Sequence, residues 1–109
     1  MVEATFRKSA ELILGFDVQG HADSGPHGQD LVCAAVSVLV QTALKSLVEV
    51  AGISENALVY TLDEGHVRLE YTEALRSERA QVILESLLCG LRGVEGAYGS
   101  FLTIKEDQR

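Results

Sequence analysis

Two side chains able to carry out nucleophilic chemistry, His21 and Cys33, lie at either side of a glycine-rich segment, residues 20–30. A thiol attacks a carbonyl carbon as the thiolate, and a reference pKa of about 8.5 leaves only a few per cent of it ionised at neutral pH. A nearby imidazole can accept the proton, and a helix amino terminus favours the negative charge. The intervening segment has ample length to return the imidazole to the thiol, so the spacing is compatible with a general base and a nucleophile.

Two polar neighbours could support this pair. Asp30 directly precedes the apolar run 31–51, where it could cap a helix, orient the histidine, or do both. Ser37 follows Cys33 by four residues and therefore lies on the same helix face. Each residue also has a structural interpretation, because a cysteine in an apolar helix is most often a small core residue. Likewise, Asp30 is most often a cap, and Ser37 an ordinary helical serine.

The remaining histidines and the second cysteine are weaker candidates. His27 lies in the middle of the glycine-rich segment, where its position would be poorly fixed. His66 follows a hairpin turn and is expected to be solvated. Cys89 lies inside the second predicted helix, between Leu88 and Gly90, and is expected to be a buried, inert thiol.

A metal site is the main chemical alternative. His21, His27 and Cys33, with Asp23, could form a mixed set of ligands. The chain lacks the Cys-x-x-Cys and His-x-x-x-His spacings that typify zinc sites, so this signal is weak. The sequence therefore predicts no metal and no cofactor.

The first half of the chain predicts two strands and a helix. Alternating residues indicate a half-buried strand whose inner side chains would be Leu12, Leu14, Phe16 and Val18, with residues 5–7 pairing back through a turn near Ser9. The run 31–51 predicts a helix that ends at Gly52, with Asp30 as its N-cap and Cys33 as its third residue. A polar stripe runs along this helix at a spacing of four, at Gln41, Lys45 and Glu49.

The second half repeats this order and adds a strand. Residues 58–62 and 67–71 alternate around a tight turn at 63–65, which predicts a hairpin. Apolar residues at helical spacing then predict a helix from near Ser77 to near Gly93 or Gly96, followed by a last strand over 98–104. The expected fold is α+β, in the order ββαββαβ. Two helices pack on one face of a mainly antiparallel sheet, and residues 1–109 form a single domain.

The overall charge limits the partners. Nine lysines and arginines against sixteen aspartates and glutamates give a net charge of −7, which disfavours direct binding to nucleic acid or an anionic membrane. The amino-terminal residues lack the pattern of a secretory signal, so we expect a cytoplasmic protein with two free thiols. The polar stripe argues against a membrane span over 31–51.

Two separated blocks, Gly-His-Ala at 20–22 and Gly-Gln-Asp-Leu-Val-Cys-Ala-Ala-Val-Ser at 28–37, resemble the signature of the bacterial ribosomal-processing cysteine proteases, the Prp family. Leu31 stands where members often have isoleucine, which is a conservative departure. The chain length and the predicted order of elements also agree with that family.

The resemblance implies a cysteine endopeptidase with His21 as base and Cys33 as nucleophile, with Asp30 and Ser37 at further signature positions. It implies that the loop closes on substrate, and in this chain that loop contains Gly20, Gly25 and Gly28. It also implies a homodimer that removes the amino-terminal extension of a large-subunit ribosomal protein. The alternative is a non-catalytic ribosome-assembly or peptide-binding module in which Cys33 belongs to the core.

Overall fold

A computed structural model describes residues 1–20 and 27–109, with the backbone alone for 27–30. Within these residues, five strands form one sheet in the order β3-β4-β2-β1-β5, with antiparallel neighbours except for the parallel pair β1 and β5. The strands are β1 (Val2–Ser9), β2 (Leu12–Gln19), β3 (Tyr60–Asp63), β4 (His66–Leu69) and β5 (Leu102–Gln108). Two long helices, α1 (His27–Glu49) and α2 (Glu78–Tyr98), complete the predicted order, which is confirmed.

A β-bulge changes which residues of β2 face the core. The pairing of β1 with β2 shifts by one residue and leaves Leu14 without a partner. Phe16 and Val18 are buried as predicted, but Leu12 and Leu14 are only half-buried, and Ile13 is 1% exposed instead. The predicted alternation is therefore wrong before Phe16, because an extra residue in a strand reverses the faces of the residues beyond it.

Helix α1 begins earlier than the sequence pattern indicated. Its first residue is His27, so Asp30 is the fourth helical residue and not the N-cap, and Cys33 is the seventh residue and not the third. The overlooked signal is Pro26, because proline is common where helices begin. The helix ends at Glu49, two residues before the predicted end, and Gly52 follows the intervening turn with a φ of 73°, as expected for a glycine stop signal.

Helix α2 begins where predicted. The Ser77 hydroxyl oxygen accepts a hydrogen bond from the Ala80 backbone N–H, as an N-cap should. The helix then buries one apolar face, formed by Ala80, Leu84, Leu87, Leu88 and Leu91.

The end of α2 differs from the prediction. The helix continues through Gly93 and Gly96 to Tyr98, so the last strand begins four residues later than expected. Each glycine costs about 1 kcal/mol relative to alanine inside a helix. The added turns are nevertheless fixed, because the Glu95 carboxylate accepts a hydrogen bond of 2.9 Å from the Ile104 backbone N–H. A contact between the helix and the last strand thus outweighs the local preference.

The hairpin of β3 and β4 is confirmed. Asp63 pairs with His66 across a two-residue turn, and Gly65 in that turn has a φ of 75°, which glycine adopts at little cost. β3 is an edge strand, and its four residues are all exposed.

The stretch Leu31–Glu49 of α1 has the length and mean hydropathy, 1.9, of a membrane span, by composition alone. Core helices of globular folds share these properties. Here α1 contributes to the core through Val32, Val36, Val40, Ala43, Leu44 and Leu47.

Candidate active site

One face of α1 lies over a cavity of about 370 Å³ between the helix and the sheet. Cys33 lines this cavity and is half-buried. Residues three and four positions apart share a helix face, so the next two turns add further lining residues to the same wall. The helix contributes Cys33, Val36, Ser37, Val40 and Gln41, and the opposite wall includes Val18, Leu62 and Val67.

Ser37 lies in the cavity with Cys33, as the spacing predicted. Its hydroxyl oxygen accepts a hydrogen bond of 3.0 Å from Gln41 Nε2. Gln41 appeared in the sequence only as part of a polar stripe, and the structure makes it a member of the cavity wall. The side chains at positions 37 and 41 therefore place hydrogen-bonding groups beside the thiol.

Gly20 also lines this cavity and is held in place by the neighbouring hairpin. Its backbone N–H donates a hydrogen bond of 3.0 Å to the Gly65 carbonyl oxygen. It has a φ of 103°, and a Cβ here would clash with the Met1 carbonyl oxygen, so only glycine fits. The backbone of Gly20 is thus held at the wall of the cavity that contains Cys33. His21 is the next residue along the chain.

The other predicted site residues are not all in the described part of the chain. His21 and Gly25 lie outside the described residues. Gly28 and Asp30 lie in the first two turns of α1, and not in a loop as predicted. The proposed activation of Cys33 by a helix amino terminus is wrong as stated, because the effect of the macrodipole falls off within the first turn and Cys33 is the seventh residue.

The His66 side chain is not simply solvated, as predicted, but contacts a carboxylate. Its Nε2 lies 3.4 Å from Asp17 Oδ1, and the imidazole is therefore held by a carboxylate. Arg68 binds the same carboxylate at 2.8 Å, and Arg7 also donates to it. Asp17 lies between the buried residues Phe16 and Val18 on β2, so this ion cluster occupies the face of the sheet away from the helices.

The Asp17 carboxylate is shared by two guanidiniums, those of Arg7 and Arg68. Arg68 donates hydrogen bonds to Glu70 and to Asp17. Both raise the pKa of its guanidinium, and the bond to Glu70 has the larger effect. Arg7 is 8% exposed and also donates to the Leu69 carbonyl oxygen. The cluster therefore joins β1, β2 and β4 on the open face, and His66 connects it to the cavity of Cys33, which His66 also lines.

Cys89 is exposed, so the prediction of a buried thiol is wrong. Its neighbour Leu88 takes the buried position on α2. Among the described residues, no three His, Cys, Asp or Glu side chains are grouped as metal ligands would be. Two of the residues in the alternative metal site, His21 and Asp23, lie outside that part of the chain.

A half-buried thiol that lines a cavity is compatible with a nucleophile that a bound substrate can reach. A family model described as "Cysteine protease Prp" matches residues 1–103, which gives the class as cysteine protease. A Bacillus subtilis protein named ribosomal processing cysteine protease Prp is 36% identical over 108 residues, covering 95% of this chain and 96% of the relative. A Staphylococcus aureus protein of the same name is 27% identical over 81 residues, covering 74% of each chain.

The solved structures give the same fold. A Streptococcus mutans crystal structure has a TM-score of 0.90 at 28% identity and covers 100% of this chain and 96% of that chain. The Staphylococcus aureus Prp protease with a substrate peptide has a TM-score of 0.85 at 22% identity, with 98% and 100% covered. The same protease with a covalently linked product peptide has a TM-score of 0.82 at 23% identity and the same coverage.

The chain therefore belongs to the Prp family of cysteine proteases, and it is a cysteine endopeptidase.

Proposed function

We propose that this endopeptidase removes the amino-terminal extension of a large-subunit ribosomal protein, with Cys33 as nucleophile and His21 as general base. The two similar proteins from Bacillus subtilis and Staphylococcus aureus carry names that describe ribosomal processing. The net charge of −7 favours a target with basic flanking sequence. The observation that carries the proposal is that Cys33 shares its cavity with Gly20, the residue directly before His21.

The proposed reaction has two steps, acylation of Cys33 and hydrolysis of the acyl-enzyme. His21 takes the proton of the Cys33 thiol, and the sulfur attacks the scissile carbonyl carbon to form a tetrahedral intermediate. Its collapse breaks the C–N bond, and the leaving amine takes the proton from His21, which leaves a thioester. Water, deprotonated by the same imidazole, then attacks the thioester carbonyl carbon; the C–S bond breaks, the peptide leaves with a new carboxyl group, and the imidazolium returns the proton to the sulfur. A covalently linked product peptide is described for the Staphylococcus aureus protease, which supports a covalent route here.

The remaining assignments extend this proposal to the surroundings of the thiol. Ser37 supplies a hydroxyl at the cavity, and its bond to Gln41 fixes the hydroxyl oxygen there. Asp30 lies three residues before Cys33 and supports the site from the same helix. The segment that follows Gly20 closes over bound substrate, so that water is excluded while the intermediate forms. The enzyme acts in the cytoplasm as a homodimer and uses no cofactor.

The direct test is cleavage of a synthetic peptide that spans the extension of the ribosomal protein from the same organism. The wild-type enzyme should cut it at one bond, identified by mass spectrometry. Cys33→Ala and His21→Ala should each lower kcat/KM by at least about a thousandfold, since each removes a group that acts in the reaction.

Cys89→Ala is the matched control, because it removes the other thiol at an exposed position. It should cut the peptide at the wild-type rate. Equal cleavage by the wild type and the Cys33 and His21 variants would remove both residues from the mechanism. A wild-type enzyme that cuts other peptides but leaves the extension intact would contradict the proposed substrate.

A further inference from the structure

The cavity at Cys33 adjoins a second one. A neighbouring cavity of about 570 Å³ lies between α1 and β3, and it shares Gln41 and Leu62 with the first. Together they run along α1 from Cys33 to Glu49, a separation of sixteen residues that spans about 24 Å at 1.5 Å per residue. An extended peptide rises about 3.3 Å per residue, so about seven residues would fill this length. We call the joined cavities the α1–β3 groove.

The helix side of the α1–β3 groove has an apolar floor and a polar rim. Residues four positions apart lie one above the other on a helix, so two neighbouring rows with this spacing run side by side along α1. The floor consists of Val36, Val40, Leu44 and Val48, and the rim of Ser37, Gln41, Lys45 and Glu49. The polar stripe of the sequence is thus the rim of a groove that begins at the thiol.

The strand side of the groove offers backbone groups that pair with no other described residue. Asp63 flanks the two-residue turn and therefore exchanges hydrogen bonds with β4, and such pairs alternate along an antiparallel ladder. The same alternation appears beyond the strand, where the Glu70 N–H donates to the Val59 carbonyl oxygen at 2.8 Å. The backbone N–H and C=O groups of Tyr60 and Leu62 therefore face away from β4, at the free edge of the sheet.

We propose that the substrate peptide lies extended in the α1–β3 groove and pairs with the outward backbone groups of Tyr60 and Leu62, as an added strand of the sheet. This inference rests on the proposed function, since its occupant is the peptide cut at Cys33. The two cavities of the groove meet at Gln41 and Leu62, which line both, and an edge strand with four exposed residues is a template for such pairing.

The residues that line the groove indicate which side chains the peptide should carry. Near the thiol the floor and the opposite wall are mostly apolar, so the residues next to the scissile bond carry apolar side chains on the side that enters the groove. At the far end Lys45 pairs with Glu49 at 3.5 Å, and Glu55 adds a further negative charge. A basic side chain about six residues from the scissile bond would therefore be favoured there.

The test compares Tyr60→Pro with Tyr60→Ala. Both remove the phenol, but only proline removes the outward N–H, and this N–H takes no part in the ladder with β4. With a peptide that extends seven residues to each side of the scissile bond, Tyr60→Pro should lower kcat/KM about five- to tenfold below Tyr60→Ala, the effect of one lost hydrogen bond. With peptides shortened to two residues on the groove side, the two variants should be equal.

Two further measurements separate this inference from a folding defect and from the proposed substrate. The rate at which iodoacetamide modifies Cys33 should be the same in both Tyr60 variants, which shows that the thiol is intact. If the ribosomal extension is not cut, the same comparison uses a peptide cut from a proteome-derived library. Equal kcat/KM for Tyr60→Pro and Tyr60→Ala on the long peptide would overturn the inference while the proposed function stands. A wild-type enzyme that cuts neither peptide would overturn both.

Discussion

The two long helices have similar lengths and apolar faces but leave different amounts of space beneath them. α2 presents mainly leucines to the core, and Leu84 and Leu91 are both 0% exposed. The face of α1 beside Cys33 instead presents the smaller side chains of Val36 and Val40, and a cavity of about 370 Å³ lies there. The smaller side chains on this face of α1 leave space between the helix and the sheet, whereas the leucines of α2 fill the core.

α2 is also bound to the sheet by polar contacts. The Gln81 side chain accepts a hydrogen bond from the Ile13 N–H at 2.8 Å and donates to the Ile13 carbonyl oxygen at 3.0 Å. It donates as well to the Leu75 carbonyl oxygen at 2.8 Å. These bonds hold α2 against the bulged end of β2. We therefore describe α2 as the scaffold helix, and α1 as the helix that carries the thiol at the cavity.

The largest expected difference between the helices concerns their cysteines. Iodoacetamide treatment of a Cys89→Ala enzyme should abolish peptide cleavage as the single remaining thiol, Cys33, is modified. Modification of Cys89 in the wild type should leave the cleavage rate unchanged, because that thiol is exposed on the scaffold helix. Peptide mapping by mass spectrometry assigns the modified residue. Activity that survives complete modification of Cys33 would break the comparison.

The second prediction concerns stability. Leu84→Ala should lower the free energy of unfolding by about 2–5 kcal/mol, because it removes a fully buried side chain and leaves a cavity. Val82→Ala on the same helix is the control, since Val82 is 54% exposed and should change stability by less than about 0.5 kcal/mol. Urea unfolding monitored by circular dichroism measures both. A loss of less than 1 kcal/mol at Leu84 would contradict the role given to α2.

The third prediction concerns a substitution that fills the space under α1. Val36→Phe should project a ring into the cavity and lower kcat/KM about ten- to a hundredfold, with the unfolding free energy changed by less than about 2 kcal/mol. Val36→Ala enlarges the same space and should retain most of the cleavage. Steady-state kinetics with thermal unfolding of the same samples gives both quantities. If the larger side chain left catalysis untouched, the cavity would not be where the substrate lies.

The smallest effect concerns the attachment of α2 to β5. Glu106 accepts a hydrogen bond of 2.9 Å from Lys8 and also binds Arg92 of α2, and these contacts, Lys8 first, hold the pKa of Glu106 below its ordinary value of 4.5. A lowered pKa means that the stabilisation is complete above pH 4.5 and is lost as the pH falls through the folded-state value. Glu106→Gln should therefore cost less than about 1 kcal/mol at pH 7 and nothing near pH 2. Urea unfolding at several pH values checks this, and a difference independent of pH would exclude the ionic origin.

The order of the elements could be predicted from the sequence because each element has a strong periodic pattern or a turn signal. The errors arose where tertiary contacts outweighed local preference. The bulge at Leu14 reverses the faces of β2, and no pattern of residue types marks it. The contact from Glu95 to Ile104 holds α2 helical beyond two glycines.

The candidate site was predicted in part. The spacing placed Cys33 and Ser37 on one helix face, and both line the cavity. The far half of the groove could not be predicted, because it lies between α1 and β3. These two elements are neighbours only in the folded protein, and no local sequence pattern indicates their contact. Its one signal in the sequence was the unexplained polar stripe at Gln41, Lys45 and Glu49.

The parallel pairing of β1 with β5 has a consequence for how the enzyme is made. Val2 pairs with Leu102, so two strands from distant parts of the chain must meet before the sheet is complete. Pairing over such a separation slows folding, because a large loop must close first. A chain still emerging from the ribosome therefore cannot complete this sheet until β5 itself has been synthesised.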